Sequence, residues 1–240
     1  PFGKEVNVKS NKTIAGVGAD ATIREGGFRI INQRNVIIRN LTIRDTYVAS
    51  DHAGKTQDYD AIQVDTSQNI WFDHCHFTRG GDGLLDLRKD TDYVTVSWCI
   101  LSNHNKCWGI GWTDNVISKM TLHHNWIHDT EVRNPSFDNA IGHLYNNFLE
   151  DISGYGNWIR GNAIAVIENS YYENVKDPWY VENGEMVTRG NKAVNCTGRQ
   201  EGDKGTAFDP SSYYSYTLDP VDDVPNLLRT YAGPSANIQY

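Results

Sequence analysis

Two closely spaced pairs of aspartates could do chemistry together: Asp58 with Asp60, and Asp82 with Asp86. Four carboxylates at one place would repel and raise one another's pKa values unless a cation lay between them. Calcium fits such a set, since it takes about 6–8 hard oxygen ligands and accepts water or a substrate carboxylate at open positions. Solvated turn aspartates are the alternative, because Asp is common beside glycine in turns.

Two cations follow at regular distances along the chain. Lys106 lies in the segment 104–107 and Arg133 in the segment 132–135, each directly after a strand-like apolar segment. Either one alone is an ordinary surface cation. If successive strands stack as coils, however, the aspartates, the lysine and the arginine lie along one edge. This order indicates a site for an anionic sugar.

The elements that must position these residues are short strands, since helical periodicity is nearly absent. Aligned on one polar position, the strand-like segments are separated by steps of 34, 24, 26, 22, 23 and 22 residues. A period in the low twenties without a helical stripe is typical of a solenoid. Asparagine suits its tight corners because the amide satisfies backbone groups there. The aligned positions are Asn40, His74, Trp98, His124, Asn146, Asn169 and Asn191.

This spacing predicts an all-β fold, namely a right-handed single-stranded parallel β-helix. An antiparallel sandwich with strands every 8–12 residues or so is the alternative, but it leaves the shared polar corner unexplained. We expect a single domain over residues 1–240, with coils from about 6 to about 200. A tail over about 207–240 should pack along the solenoid with its aromatic side chains, which are Phe208, Tyr213, Tyr214, Tyr216 and Tyr231.

The composition excludes several functional classes. Among 240 residues, 22 are Lys or Arg and 30 are Asp or Glu, for a formal net charge of −8. We therefore expect no nucleic-acid partner, because such a protein needs a basic face. No run of about eighteen apolar residues exists, so no membrane span is predicted. A hydrophobic content of 39% is too high for a disordered chain. We expect an acidic, soluble monomer.

Several motifs, in order over nearly the whole chain, resemble extracellular pectate lyases of the first polysaccharide-lyase family. The resemblance implies secretion, and it implies an N-terminal cap and a first coil upstream of residue 11. The abrupt start of the sequence at Pro1 agrees with that expectation. The motifs are Asn11–Gly18, Ile70–Cys75, Tyr93–Trp98, His123–Asn125, Arg133–Pro135, His143–Asn147 and Tyr214–Asp219.

The resemblance also implies roles for the residues already singled out. Lys106 matches the lysine that holds a uronate carboxylate, and Arg133 matches the arginine that abstracts a proton. The implied reaction is calcium-dependent β-elimination in α-1,4-linked polygalacturonate, an anionic polysaccharide. A second arginine is often found where this chain has Asp138, which puts substrate affinity in question. The retained acids argue against the sister pectin lyases. The implied calcium ligands are Asp58, Asp60, Asp82 and Asp86.

Two other functions remain open at this point. A polygalacturonase-like glycoside hydrolase would use carboxylates as acid and base or nucleophile, although Lys106 and Arg133 would then have no role. A non-catalytic uronate-binding protein would bind the chain without turnover.

Cysteines and histidines leave further alternatives. Cys75 and Cys99 occupy equivalent places in adjacent coils, so they form either a disulfide or stacked free thiols. The pairing of all four cysteines stays open, including Cys107 and Cys196. Histidines on the strands predict a stacked, hydrogen-bonded arrangement rather than a zinc site.

Overall fold

A computed structural model describes residues 2–238; Pro1 and the last two residues of the predicted tail lie outside this range. Within it the chain forms 24 short strands in sequence. They are β1 (Lys4–Asn7), β2 (Lys12–Ala15), β3 (Thr22–Arg24), β4 (Gly26–Ile31), β5 (Arg34–Arg39), β6 (Thr42–Arg44), β7 (Ile62–Asp65), β8 (Gln68–Asp73), β9 (His76–Thr78), β10 (Leu85–Arg88), β11 (Asp92–Ser97), β12 (Ile100–Lys106), β13 (Trp108–Gly111), β14 (Ser118–His123), β15 (Trp126–Val132), β16 (Ser136–Asp138), β17 (Ala140–Tyr145), β18 (Phe148–Ile152), β19 (Asn157–Arg160), β20 (Ile164–Glu168), β21 (Tyr171–Val175), β22 (Trp179–Glu182), β23 (Glu185–Arg189) and β24 (Lys192–Val194).

Every third strand belongs to the same sheet, so each coil contributes one strand to each of three sheets. Sheet I runs from β1 through β4, β7, β10, β13, β16 and β19 to β22, sheet II from β2 to β23, and sheet III from β3 to β24. Strands of successive coils pair in parallel in all three sheets. The predicted parallel β-helix is confirmed, with about eight turns.

The core lies inside this coil because the strands alternate inward apolar and outward polar residues. Val36, Ile70 and Val94 pair in register in sheet II, and all three are almost fully buried. Each buried aliphatic side chain of this size contributes about 1.5–3 kcal/mol relative to an exposed one. Stacking like residues in columns lets short strands share one continuous core.

The residues aligned on one polar position in the sequence lie at the corner that follows sheet II. Asn40 has φ 54° and His124 has φ 54°, a left-handed conformation that asparagine and glycine adopt at least cost. Six of the seven aligned residues occupy this corner, but the last assignment was wrong. Glu168 pairs with Arg189, so Gly190 (φ 63°) takes the corner in the final coil. Glycine is the other residue type suited to that conformation, which is why the asparagine pattern misleads there.

Asn191 belongs instead to the adjacent, inward-facing column. Asn125 Oδ1 accepts a hydrogen bond from the backbone N–H of Cys99 at 3.1 Å, and Asn147 Oδ1 accepts one from the N–H of Asn125 at 3.0 Å. Asn191 ends this series by accepting from Ser170. The ladder therefore satisfies buried backbone donors that the turn leaves without strand partners. Cys75 and Cys99 stand in the same column as free thiols.

Aromatic and histidine rings stack along the outward corner. The Trp98 ring centroid lies 4.3 Å from that of His124 and 5.9 Å from that of His74. This arrangement agrees with the prediction of stacked histidines. In the range 2–238, the only cluster of three or more potential metal ligands is made of aspartates.

The C-terminal tail packs along the solenoid as predicted. Tyr214 Oη lies 2.6 Å from His143 Nδ1, and Tyr216 Oη donates to Glu168 at 2.7 Å. Tyr213, however, is 73% exposed, so its predicted covering role is wrong. Tyr213 directly follows the 3₁₀ turn Pro210–Ser212 with φ −106° and ψ −36°, and there its ring faces solvent.

The chain also contains helical turns that the sequence analysis did not predict, most of them in the tail. Two single 3₁₀ turns occupy Ala49–Asp51 and Pro210–Ser212, and helix α1 spans Val224–Tyr231. Proline in the first turn of α1 suits that position, where a backbone N–H would have no helical partner. Tyr231, at the end of α1, is 58% exposed and touches Trp98 only edge-on, so it also departs from the predicted packing. In the described part of the chain, no helix has the length and apolar character needed to cross a bilayer.

Candidate active site

The aspartates come together where the chain passes from sheet III into sheet I. Asp58 and Asp60 precede β7 and Asp82 precedes β10, and these two strands are neighbours in sheet I. One carboxylate oxygen from each of the three aspartates lies within 4.8 Å of the others. The structure thus joins residues that are 24 positions apart in the sequence because their coils stack directly.

Asp86 completes the acidic set from β10 itself. It points outward between the inward-facing Leu85 and Leu87 but remains only 3% exposed. Its Oδ1 atom and Oδ1 of Asp60 lie 2.9 and 3.2 Å from the point where a Cβ on Gly83 would stand. A side chain at Gly83 would therefore intrude between the two carboxylates, so the close approach requires glycine.

Electrostatics show that these carboxylates need a positive partner. Burial, and then the charge of Asp86, raise the pKa of Asp60 well above its usual range. Burial raises the pKa of Asp86 to about 6, although the nearby charge of Arg133 lowers it. Asp60 Oδ2 and Asp86 Oδ1 are buried without a hydrogen-bond partner. Unpaired buried carboxylate oxygens beside two further acids fit a hard cation that prefers oxygen ligands.

Lys106 ends β12 and reaches the edge of this cluster. Its Nζ donates to Asp82 Oδ1, so in this structure the predicted carboxylate-binding lysine is paired with a predicted metal ligand. His104 Nε2 lies 2.7 Å from the carbonyl oxygen of Asp82. The ammonium group therefore stands at the border between the acids and the open cleft.

Arg133 lies one residue beyond the register partner of Lys106. Lys106 pairs with Val132 between strands β12 and β15 of sheet III, and Arg133 follows with φ 64°. This left-handed conformation costs a non-glycine residue about 1–2 kcal/mol, and such strain concentrates at functional sites.

Buried asparagine contacts hold the backbone of Arg133 in this conformation. Asn134 is fully buried, accepts from Thr130 Oγ1 at 2.7 Å and donates to the carbonyl of Tyr155 at 2.8 Å. The carbonyl of Arg133 accepts from the N–H of Trp108 at 2.6 Å. The guanidinium is thereby presented from a rigid turn rather than from a mobile loop.

The two cations open into a cavity of about 570 Å³. The Arg133 guanidinium lies 5.1 Å from the Trp112 ring centroid, and no carboxylate within residues 2–238 forms a salt bridge with it. A second cavity of about 510 Å³ shares Asn105 and Glu131 with the first. Together the two cavities form an elongated depression that suits a polymer better than a small compact ligand.

Four residues of this cleft were missed by the sequence analysis: Trp112, Tyr155, Trp158 and Arg160 all line the larger cavity. Trp158 and Arg160 alternate outward around the buried Ile159 on β19, so the strand period could have revealed them. For Trp112, the only signal in the sequence was its position close to glycines. Asp138, noted as a departure from the family pattern, also lines the cavity.

One groove thus contains Arg133, Lys106 and several aromatic faces, and Lys106 connects this groove to the carboxylates that fit a cation. Such a set binds an anionic sugar through its carboxylate and its ring faces. A parallel β-helix with this groove on its side defines an enzyme class that acts on acidic polysaccharides.

Comparison with known proteins identifies the family within that class. Residues 3–236 match the model of the pectate lyase family, and the chain belongs to this family of polysaccharide lyases. A pectate trisaccharide-lyase from Thermotoga sp. (strain RQ2) is 35% identical over 96% of this chain and 73% of its own length. A pectate trisaccharide-lyase from Bacillus licheniformis is 36% identical over 95% of this chain and 69% of its own length.

Solved structures agree with this assignment. A pectate lyase from Bacillus sp. N165, in complex with trigalacturonate, superposes with a TM-score of 0.83 at 27% identity, covering 96% of this chain and 80% of that one. Pectate lyase II from Xanthomonas campestris gives a TM-score of 0.84 at 26% identity, covering 98% and 80%.

Proposed function

We propose that this lyase cleaves α-1,4-linked polygalacturonate by calcium-dependent β-elimination. The observation that carries the proposal is that Lys106 and Arg133 line one cleft while Lys106 Nζ donates to Asp82, a member of the aspartate cluster. The printed names of the relatives, and the trigalacturonate bound to one structural neighbour, support the substrate class.

Lys106 would hold the carboxylate of the reacting uronate. Its ammonium group is paired with Asp82 in this structure, and its side chain also lines the cleft. A charge-assisted hydrogen bond from this ammonium would orient the sugar. It would also stabilise the negative charge that builds up on the carboxylate when the proton leaves C5.

Arg133 would remove that proton. As the C5–H bond breaks, its electron pair forms the C4–C5 double bond, the C4–O4 bond breaks, and the leaving oxygen takes up a proton from water. A base must be neutral to accept a proton, so this role depends on the small deprotonated fraction of an arginine side chain, which grows as the pH rises.

The carboxylates of Asp58, Asp60, Asp82 and Asp86 would hold calcium at this edge. A bound calcium ion supplies a positive charge that pulls electron density from a uronate carboxylate. The residues fit that role because two of them, Asp60 and Asp86, have buried oxygens without partners.

The test is to follow ultraviolet absorbance of unsaturated product from polygalacturonate, with calcium and then with chelator, beside a count of new reducing ends. We expect calcium-dependent absorbance that is lost in Arg133→Ala, with a control variant at the exposed Arg24 unchanged. New reducing ends without absorbance would instead indicate a hydrolase. Binding of oligogalacturonides with neither signal would indicate a uronate-binding protein.

A further inference from the structure

The end of the cleft at Arg160, called the far end here, contains an ion pair rather than a free cation. The end at Lys106 and Arg133 is called the near end. Asp138, the last residue of β16, pairs in register with Arg160 of β19. Asp138 Oδ2 lies 3.5 Å from Arg160 Nε, and the two side chains are 27% and 41% exposed. Both groups line the same cavity as Lys106 and Arg133.

Packing fixes this pair in the cleft. The Arg160 guanidinium lies 4.3 Å from the Trp158 ring centroid, which holds it over an aromatic face. A Cβ on Gly161 would stand 2.4 Å from Asp138 Oδ1, so the chain passes close behind the carboxylate. The Trp158 Nε1–H is buried and has no hydrogen-bond partner. The far end thus offers an ion pair without net charge and an aromatic ring.

The charge distribution along the cleft is therefore uneven. At the near end Arg133 has no carboxylate partner within residues 2–238, whereas at the far end Asp138 neutralises Arg160. Neighbouring strands lie about 4.8 Å apart, roughly the width of one pyranose ring. Arg160 belongs to the coil after that of Arg133 and Asp138, so a sugar one coil further along the solenoid than the one held by Lys106 and Arg133 would meet the ion pair that joins these two coils. A free carboxylate there would face Asp138, whereas an uncharged group would not.

We propose that Asp138 is a specificity-determining residue that makes the Arg160 end of the cleft accept an uncharged sugar unit. The chemical class is a galacturonate whose carboxyl is methyl-esterified, placed beside the free galacturonate held by Lys106 and Arg133. The inference rests on the proposed function, since it assumes that the near end holds the reacting uronate. It adds that the enzyme tolerates, at one defined position, the ester that the near end excludes.

The test compares kcat/KM on fully de-esterified polygalacturonate with kcat/KM on a partly methyl-esterified chain, and reports their ratio. In Asp138→Asn we expect the ratio to rise about 5- to 10-fold in favour of the de-esterified chain. That is the size expected from removing one like charge about 4 Å away in a high-dielectric setting. Asp222→Asn, which breaks the tail ion pair with Lys192, is the matched control and should change the ratio less than about twofold.

The Arg160→Gln variant tests the opposite change, because it removes the positive charge of the ion pair. It leaves Asp138 without its cation, so the ratio should fall, and the double variant should return near the wild-type value. A mere loss of structure would lower both rates alike and leave the ratio unchanged. If the wild type shows eliminative turnover but neither single variant changes the ratio, this inference alone is overturned. Absence of eliminative turnover in the wild type would overturn the proposed function and this inference with it.

Discussion

At the residue scale, the acidic cluster is the part of the protein whose buried charges are least well compensated. Asp60 is fully buried, accepts from the Gly83 N–H at 2.7 Å through Oδ1, and leaves Oδ2 unpaired. Like charges that share a buried place destabilise the fold unless a cation neutralises them. The cluster therefore lowers the stability of the metal-free protein, and the proposed calcium ion would offset this cost.

We expect Asp60→Asn to raise the melting temperature in chelator, because it removes one buried charge while keeping an acceptor for Gly83. Calcium at about a hundredfold excess over its Kd should add about 2–3 kcal/mol to the wild type and much less to the variant. Differential scanning calorimetry checks both effects, with the exposed Asp114→Asn as control. A variant that melts lower in chelator would contradict this view of the cluster.

The proposed base leads to a pH dependence of activity. Arginine in water titrates at about 12.5–13.8, so only a small neutral fraction exists near neutral pH. If Arg133 accepts the proton, kcat/KM should rise with pH towards about tenfold per unit on the neutral-to-alkaline limb. Initial rates of absorbance change at saturating calcium measure this limb, and circular dichroism confirms that the protein stays folded. A flat profile would contradict the role of Arg133.

At the element scale, the inward asparagine ladder stabilises the turn between sheets II and III through hydrogen bonds to the backbone. Asn147 accepts from the N–H of Asn125 at 3.0 Å and donates to the carbonyl of Leu122 at 2.9 Å. Its side chain is only 6% exposed. Each rung therefore satisfies two backbone groups of neighbouring coils that water cannot reach.

We expect Asn147→Ala to lower the free energy of unfolding by about 2–4 kcal/mol, because two buried backbone groups lose their partners. Asn191→Ala removes the same pair of contacts from a half-buried rung at the end of the ladder. Its cost should be smaller, since water can replace the lost bonds. Urea denaturation measures both, and equal losses would show that burial does not control the strength of the ladder.

At the scale of the whole molecule, two partly buried histidines make the stability of the fold depend on pH. Burial lowers the pKa of His76 to about 4 and that of His123 to about 3, against about 6.5 in the unfolded chain. Between those values the unfolded state binds more protons than the folded state. Stability is therefore complete above about pH 6.5 and is lost as the pH falls towards 4 and 3.

We expect the acid slope of the unfolding free energy to reach about 1.4 kcal/mol per pH unit for each such histidine. His76→Gln and His123→Gln should each flatten this slope, whereas a substitution of the exposed His52 should not. Urea midpoints between pH 4 and pH 7, at constant m-value, provide the measurement. Unchanged slopes in both variants would mean that other groups control acid unfolding.

The sequence by itself determined the solenoid, because its signal is a repeat. Strand-length apolar runs at a period in the low twenties can bury their faces only against neighbouring coils. It also determined which aspartates approach one another, since stacking converts a one-coil separation, as between Asp60 and Asp82, into contact. The tail contacts of Tyr214 and Tyr216 followed from the same reasoning about uncovered surface.

Only the tertiary structure decided the details that depend on local backbone and on partners far apart in sequence. Asn191 looked like a corner residue, but the register gave the corner to Gly190 because both residue types suit a left-handed φ. The pairing of Lys106 with Asp82 and of Asp138 with Arg160 arose from side-chain reach across coils. A sequence records residue types and spacing, whereas ion pairs depend on which outward-facing neighbours a given register brings within a few ångströms.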